Sequence, residues 1–439
     1  MRYTIPDYYK KFRCIAGDCP ATCCAGWQIV IDDAALKKYM DMAGVKRVRK
    51  GIPVMKKQGG QPFGSRLVNS IDWENKTFLQ YDGRCAFLDE HNLCDIYTEA
   101  GEQYFCRTCR NYPRHIEEFE NEREISLSLS CPVVARMLLD RQEKVQFISR
   151  ETEQEEQDES FDEFLYFILQ DCRSEMFEIL QNREQPITFR IAKVLALAHD
   201  IQNRIDAEQI FEVEAVLERY QREGADEILQ KKFEAYQLKP ETLQEAICVE
   251  KEAVENLSDD SQMKLRKNLM DLLYEMEILD LSWPDQVRSY KKTLYGSGAE
   301  RYTVLRETYT AQMPWLETEA EQLMVYFLFT YFCGAVYDGD AFSKVKLAAV
   351  CTMLIQEMEL AEAATRDNAE PAENSITDSQ KQKSVEKALE GLLTLEERAQ
   401  IAWRFSRELE HSDLNLETME KLMKEDEAAE FKTLLRCIC

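Results

Sequence analysis

Nine of the 15 cysteines lie between Cys14 and Cys131, and their spacing is the strongest chemical signal in the chain. They fall into four short boxes, which are Cys14 to Cys24, Cys85 to Cys94, Cys106 to Cys109, and Cys131 alone. Thiolates are soft ligands, and several of them on closely spaced loops can converge on an iron–sulfur cluster or a zinc ion. The candidate metal ligands are Cys14, Cys19, Cys23, Cys24, Cys85, Cys94, Cys106, Cys109 and Cys131.

Disulfide bonds are the other common use of such a density of cysteine. The N-terminal string MRYTIPDYYKKFRC has no apolar stretch followed by a small-residue cleavage site, so it does not resemble a secretory leader. We therefore expect a cytoplasmic, reducing location. In that compartment clustered cysteines bind metal more often than they form disulfides.

The spacing favours iron over zinc without deciding between them. Zinc sites with four cysteine ligands usually have a CxxC knuckle at each end, and only Cys106 and Cys109 have that spacing here. The adjacent Cys23 and Cys24 are unusual for zinc. We therefore predict a [4Fe-4S] cluster, with zinc as the alternative metal. Nine thiols exceed the four that one cluster needs, which leaves a second metal or spare structural cysteines open.

Other side chains beside the boxes could hold a cofactor. Trp27 follows the first box and could stack on a ligand or simply cover the metal core. Arg107, Arg110 and Arg114 flank the third box, where they could offset the negative charge of a cluster or be ordinary surface residues. Tyr112 could contact a ligand or pack within the module. The candidate cofactor-binding residues are Trp27, Arg110, Tyr112 and Arg114.

The elements that position these residues are short. Nine of the 15 glycines lie in the first 101 residues, so loops and turns must dominate there. Period-2 alternation predicts strands over 27–31 and 125–129, whereas the pattern over 34–42 is typical of a helix. Residues 89–92 are predicted to form a hairpin turn that brings two thiols together. These features predict a small, irregular α+β metal module over residues 1–140.

The rest of the chain has the pattern of amphipathic helices. Windows at 161–169 and 270–279 place apolar residues at i, i+3, i+4 and i+7. No apolar run is long enough to span a membrane. Residues 366–383 have almost no apolar side chain and are predicted to form a flexible loop. The expected fold class is mainly α, with the cysteine-rich module followed by a larger α-helical substrate-binding domain over residues 150–439.

Charge is distributed as unevenly as cysteine. Residues 1–150 carry a net charge of +3, and the rest of the chain carries −29. An acidic surface repels phosphate backbones, which argues against a nucleic-acid partner, and it attracts basic partners such as a lysine-bearing protein. The alternative is a solvated acidic surface with no partner. The sequence leaves the oligomeric state open.

Five strings of the sequence together resemble the flagellin lysine-N-methylase family. The first four are also similar to small CxxxCC zinc- or iron-chelating domains. This resemblance implies S-adenosylmethionine-dependent methylation of lysines on flagellin, with an iron–sulfur cluster required. The family pattern needs one thiol fewer than the third box supplies, which puts Cys106 in doubt as a ligand. The strings are FRCIAGDCPATCCAGWQIVID (12–32), CAFLDEHNLCDIY (85–97), TCRNYPR (108–114), SLSCPVVA (128–135) and VYFLFTYFCGAVYDGD (325–340).

The usual cofactor motifs of methyltransferases are missing from the sequence. Gly296 and Gly298 form the only candidate for the glycine-rich turn of a Rossmann site, and they do not follow a buried strand. The CxxxCxxC triplet of radical enzymes is absent, because Cys24 directly follows Cys23. The resemblance therefore suggests that the cluster itself could bind the cofactor and that the transfer is polar.

Methyl transfer requires a neutral lysine amine, so an apolar pocket or a carboxylate must help to remove its proton. The candidate catalytic residues are Tyr337, Asp338 and Asp340. Alternatively, these residues form a helix end and turn with Gly339 as its cap. We predict an iron–sulfur-dependent protein-lysine methyltransferase. The alternative is a non-enzymatic zinc- or iron-chelating scaffold with an acidic helical interaction domain.

Overall fold

The structure of the chain is a computed structural model that describes residues 1–44, 62–153, 161–237, 262–365 and 393–438. The predicted flexible loop at 366–383 lies outside the described residues. No helix in the described ranges is both long and apolar enough to cross a membrane.

Four of the strands in these ranges build one mixed sheet, with the order β6-β7-β1-β8. In this sheet β1 is parallel to β7 and antiparallel to β8, while β6 and β7 form an antiparallel hairpin. The short strands pair as β2 with β3 and β4 with β5. The strands are β1 (Arg2–Pro6), β2 (Ile71–Asp72), β3 (Thr77–Phe78), β4 (Gln80–Tyr81), β5 (Arg84–Cys85), β6 (Arg114–Phe119), β7 (Glu122–Leu127) and β8 (Phe147–Glu151).

The two strand predictions have different outcomes. Residues 125–127 belong to β7, so the predicted strand at 125–129 is confirmed over its first three residues. The prediction for 27–31 is wrong, because only Val30 makes a β-bridge there, to Thr77. Thr77 lies in a strand of two residues, which is too short to pair with a longer partner.

Four short helices belong to the cysteine-rich region, and the predicted helix at 34–42 is confirmed as the first of them. Asp32 caps it, since its carboxylate accepts a hydrogen bond from the Ala35 amide at 3.0 Å. The helices are α1 (Asp33–Met42), α2 (Phe63–Asn69), α3 (Asp95–Ala100) and α4 (Arg107–Asn111).

The second part of the chain is helical, as the sequence predicts, but the predicted window at 270–279 is helical only as far as Tyr274. Most of its helices are amphipathic, but α13 and α15 are buried along almost their whole length. The helices are α5 (Pro132–Leu139), α6 (Glu163–Leu180), α7 (Ile187–Asp206), α8 (Val213–Gln221), α9 (Ala225–Gln237), α10 (262–271), α11 (Trp283–Tyr295), α12 (Ala299–Gln312), α13 (Leu316–Tyr331), α14 (Ala335–Asp338), α15 (Ala341–Thr365), α16 (Leu395–Glu410), α17 (Asp413–Glu425) and α18 (Phe431–Ile438).

The described residues bury two hydrophobic clusters. The smaller one lies in the cysteine-rich region, where Phe78 packs between Tyr39 and Phe87 with ring centroids 6.0 and 5.4 Å away. The larger one extends from Tyr8 to Ile438 and includes the inner face of the four-stranded sheet. Residues on both sides of the predicted boundary near 140–150 therefore share one core, and the boundary itself stays a prediction.

Buried ion pairs fix the sheet against the helices. Glu124 on β7 is 2% exposed, and its carboxylate oxygen accepts a hydrogen bond from Arg173 of α6 at 2.5 Å. Arg173 also donates to the carbonyl oxygen of Phe329 at 3.2 Å, which brings α13 into the same contact. Each charge is compensated only while its partner remains, so this pair specifies how the three elements meet.

We expect Arg173→Leu to lower the free energy of unfolding by about 3–5 kcal/mol, because it leaves the Glu124 carboxylate buried without its cation. Urea denaturation followed by circular dichroism measures the change. The matched control is Arg288→Leu, which removes an exposed ion pair with Asp285 and should cost less than about 1 kcal/mol. Equal losses in the two variants would show that the buried pair does not fix the sheet.

Candidate metal centre

The four cysteine boxes are brought together by loops rather than by long elements. The main-chain amide of Cys85 on β5 donates to the carbonyl oxygen of Cys24 at 2.8 Å, so the first and second boxes are adjacent. A Cβ atom at Gly17 would lie 2.9 Å from the carbonyl oxygen of His91. A glycine at this position therefore permits the loop of the first box to approach the turn of the second.

The predicted hairpin turn between Cys85 and Cys94 is confirmed. Leu88 and Cys94 form an antiparallel bridge, and the Asp89 carboxylate accepts hydrogen bonds from the amides of His91 and Leu93 at 2.8 Å each. These bonds join residues of the turn itself. The turn returns the chain so that Cys94 lies opposite Leu88, three residues after Cys85.

Four of the nine thiols lie in two hydrogen-bonded pairs. The side chains of Cys23 and Cys24 are hydrogen bonded, and this contact and burial together raise the pKa of Cys23. Cys106 and Cys109 form a second pair, in which the hydrogen bond from Cys109 lowers the pKa of Cys106 and raises that of Cys109. Such pairs place two soft donors side by side.

The other thiols are buried to different degrees. Burial raises the pKa of Cys85 to about 12 and the pKa of Cys131 to about 11, so both thiols are protonated near neutral pH in the absence of metal. Burial likewise raises the pKa of Cys19 and of Cys94. Cys14 is exposed, and its sulfur accepts a hydrogen bond from the Ala16 amide at 3.4 Å.

The donor chemistry of this module fits a thiophilic metal, but its geometry is not that of a finished site. In the parts of the chain that the structure describes, no three His, Cys, Asp or Glu side chains converge closely enough to hold a metal ion. The nine thiols are nevertheless gathered in one small region as neighbours and pairs. The chain therefore supplies, within one module, the ligand type and number that a cluster or a zinc ion requires.

Trp27 and Tyr112 lie where the cysteine-rich region meets the helical part. The indole nitrogen of Trp27 donates to the carbonyl oxygen of Cys23 at 2.8 Å, and its ring stacks on His411 at a centroid distance of 4.6 Å. The hydroxyl groups of Tyr112 and Ser130 are 3.1 Å apart, and the Tyr112 ring lies edge-on to His411. Both residues therefore sit at this junction, while their cofactor-binding role stays a prediction.

The two predicted arginines have different surroundings. Arg110 lines a cavity of about 330 Å³ beside α4, together with Asp32, Lys38 and Arg107. Arg114 at the start of β6 donates to the Tyr9 hydroxyl at 2.9 Å and lies over that ring. Arg110 lies at the edge of this cavity, and its guanidinium donates to the carbonyl oxygens of Phe105 at 3.3 Å and Gln103 at 3.5 Å. Arg114 is instead engaged with the N-terminal segment.

The three predicted catalytic residues form a helix end. Gly339 adopts a left-handed conformation (φ 72°) and caps α14, while Asp338 pairs with Lys344 at 2.8 Å and Asp340 accepts from the Ser343 amide at 3.0 Å. The Tyr337 hydroxyl donates to the carbonyl oxygen of Glu118, near the C-terminal end of β6. Glu118 follows Tyr112 by six residues, which span roughly 20 Å in an extended strand. Their catalytic role remains a prediction.

The structure brings two further residues to the junction that the sequence analysis does not single out. The Glu410 carboxylate accepts hydrogen bonds from the Tyr326 and Tyr331 hydroxyls at 2.5 and 2.6 Å. The Nε2 atom of His411 lies 3.0 Å from the Ser130 hydroxyl. Burial, together with a nearby arginine, lowers the pKa of His411 to about 3. This histidine is therefore neutral, and only the folded chain places it near the thiols.

These features define a class of protein, in which a cysteine-rich chelating module is joined to a helical domain through a buried polar contact. The model of the FliB lysine N-methylase C-terminal domain matches residues 173–437, more than half of the chain. A CxxCxxCC zinc- or iron-chelating domain matches residues 13–132. The chain belongs to the FliB lysine N-methylase family.

Similar proteins share the N-terminal region with this chain. The flagellar biosynthetic protein FliU of Salmonella muenchen is 29% identical over 139 residues, which are 31% of this chain and 76% of that protein. Lysine-N-methylases of Salmonella typhimurium and Salmonella choleraesuis are 28% and 31% identical over 139 residues. The match spans 32% of the length of each methylase and 31% of this chain. No solved structure matches the chain.

The neutral state of His411 predicts a dependence of stability on pH. An unfolded histidine has a pKa of about 6.5, whereas the native residue has a pKa of about 3. Between these values the unfolded chain binds a proton that the native chain does not, so stability falls as the pH drops through this window.

When the pH is lowered from about 7 to about 5, we expect the free energy of unfolding to fall less for His411→Gln than for the wild-type protein. The reason is that the variant lacks this ionisation. Urea denaturation at the two pH values measures the loss. His91→Gln, at a position whose side chain is 76% exposed, is the matched control and should follow the wild-type protein. A His411 variant that also follows the wild type would contradict burial of a neutral imidazole.

Proposed function

We propose that this protein methylates lysine side chains of flagellin, with S-adenosylmethionine as the methyl donor and a [4Fe-4S] cluster in the cysteine-rich module. The observation that carries the proposal is membership of the FliB lysine N-methylase family. The nine thiols of the module and the relatives named lysine-N-methylase support it. The proposed partner is therefore flagellin or another lysine-bearing protein.

The cysteines of the four boxes would hold the cluster. Burial raises the pKa of Cys85, Cys94 and Cys131, so metal binding at these thiols releases protons and is coupled to folding of the module. When bound, a cluster with one open iron would supply a Lewis-acid site for the amino and carboxylate groups of the methyl donor. The chain offers Arg110, at the edge of its cavity, as a cation for the same carboxylate.

The proposed reaction is a polar displacement. The lone pair on the lysine Nζ atom forms a bond to the methyl carbon while the carbon–sulfur bond of the sulfonium breaks, and S-adenosylhomocysteine leaves. The amine must first be neutral, so its proton passes to a carboxylate or to water. Asp338 and Asp340 are the carboxylates proposed from the sequence. Glu410 is a further carboxylate beside the last cysteine box, where it accepts a hydrogen bond from the Ser128 hydroxyl at 3.2 Å.

Anaerobically purified full-length protein should add methyl groups to lysines of purified flagellin when S-adenosylmethionine is supplied. We expect S-adenosylhomocysteine to form in step with methyl-lysine, without 5′-deoxyadenosine, because the transfer is polar. Removal of iron with a chelator should abolish the activity. Mass spectrometry of flagellin and chromatography of the nucleosides measure these products. Unmodified flagellin in the presence of iron-loaded protein would favour the scaffold, as would colourless protein with stoichiometric zinc.

Cys19→Ser and Cys23→Ser should each lower the iron content, because serine does not replace a thiolate as a ligand to iron. Cys351→Ser is the matched control, since this thiol is fully buried in α15 within the helical part. Elemental analysis and visible absorption of anaerobically purified proteins measure the loading. The same iron content in all three variants would show that the first box does not bind the metal.

A further inference from the structure

The C-terminal end of α16 contacts the loops that carry the first and last cysteine boxes. Arg407 and His411 lie four residues apart there, so they share one face of the helix end. Both belong to the helical part, and Arg407 contacts a residue 386 positions earlier in the chain. The segment matched by the methylase domain thus reaches into the segment matched by the chelating domain.

The guanidinium group of Arg407 bridges two main-chain segments. Its Nη2 atom donates to the carbonyl oxygen of Ala21 at 2.8 Å and to that of Thr22 at 3.4 Å. Its Nε atom donates to the carbonyl oxygen of Ser130 at 3.1 Å. Cys23 directly follows Thr22, and Cys131 directly follows Ser130. One side chain therefore fixes the backbone immediately before Cys23 of the first box and Cys131 of the last box.

This arrangement uses properties that are specific to arginine. The planar fork of a guanidinium can donate in several fixed directions, whereas a lysine ammonium is a single point charge on a flexible stem. The Arg407 guanidinium also lies over the Trp403 ring, 4.9 Å from its centroid, which holds the fork in place. A cation at this position offsets the negative charge that thiolates bring to a metal centre.

His411 supports the same two loops without adding charge. Its ring nitrogen contacts the Ser130 hydroxyl, and its ring stacks on Trp27. Trp27 in turn donates to the carbonyl oxygen of Cys23. The first and last boxes are thus connected twice through the end of α16, once by Arg407 and once by His411.

We propose that Arg407 is a positioning residue of the metal centre, so that the helical domain completes a centre whose ligands all come from the cysteine-rich module. This inference rests on the proposed metal-binding role of the cysteines, and it is independent of the methylation reaction. Groups that orient metal ligands without touching the metal typically contribute 10–100-fold to metal affinity.

The test compares full-length Arg407→Ala, Arg407→Lys and Arg404→Ala. Arg404 lies on the same helix but pairs with Asp280 at 3.2 Å, away from the boxes, so its variant is the matched control. The readout is the rate at which a chelator removes iron from anaerobically purified protein. We expect release to be about 10–100-fold faster for Arg407→Ala, intermediate for Arg407→Lys, and unchanged for Arg404→Ala. Release at the wild-type rate from Arg407→Ala would overturn the inference.

A second measurement needs no metal. After iron is removed, mass spectrometry follows alkylation of Cys23 and Cys131, with buried Cys351 as the internal reference for intact folding. Arg407→Ala and Arg407→Lys should speed alkylation of Cys23 and Cys131 but not of Cys351, because the loops lose their bridge. Unchanged rates at Cys23 and Cys131 would overturn the inference. A wild-type protein that never binds metal would refute the proposed cluster and with it a role of Arg407 in a metal centre. The alkylation rates would then show only whether Arg407 bridges the two loops.

Discussion

The contact between the two parts of the chain depends on the Glu410 carboxylate. Tyr326 and Tyr331 of α13 both donate to it, and Tyr326 also accepts a hydrogen bond from the Leu129 amide at 2.9 Å. Leu129 lies in the loop that leads to the last cysteine box. Buried hydroxyl groups without an acceptor are costly, so α13, α16 and this loop keep fixed positions relative to one another. The thiols are therefore held against a rigid helical framework.

Features of the centre that depend on neighbouring residues could be predicted from the sequence. The Asp89 turn is closed by bonds within five residues, and α1 begins at its own Asp32 cap, so both predictions are confirmed. The predicted strand at 27–31 fails for the opposite reason. A strand needs a partner of matching length, and the alternation of side chains in one segment contains no information about its partner.

The residues that complete the centre could not be predicted in this way. Ser130 and His411 are 281 positions apart, and Arg407 is 385 positions from Thr22. Nothing in the local pattern of α16 distinguishes Arg407 from other arginines of an amphipathic helix. Their proximity to the thiols results from tertiary structure, in which α16 packs against α5 immediately after the last box. Spacing identifies the ligands, but the fold identifies what orients them.

Further buried ion pairs, of the same kind as Glu124 with Arg173, explain how so acidic a domain can have a core. Glu319, Glu321 and Glu357 are at most 3% exposed, and each lies against an arginine, namely Arg398, Arg190 and Arg266. In these three pairs, burial removes an arginine from the surface together with each glutamate. The sequence beyond residue 150 carries a net charge of −29. A basic partner would meet an acidic surface whose attraction weakens as salt rises.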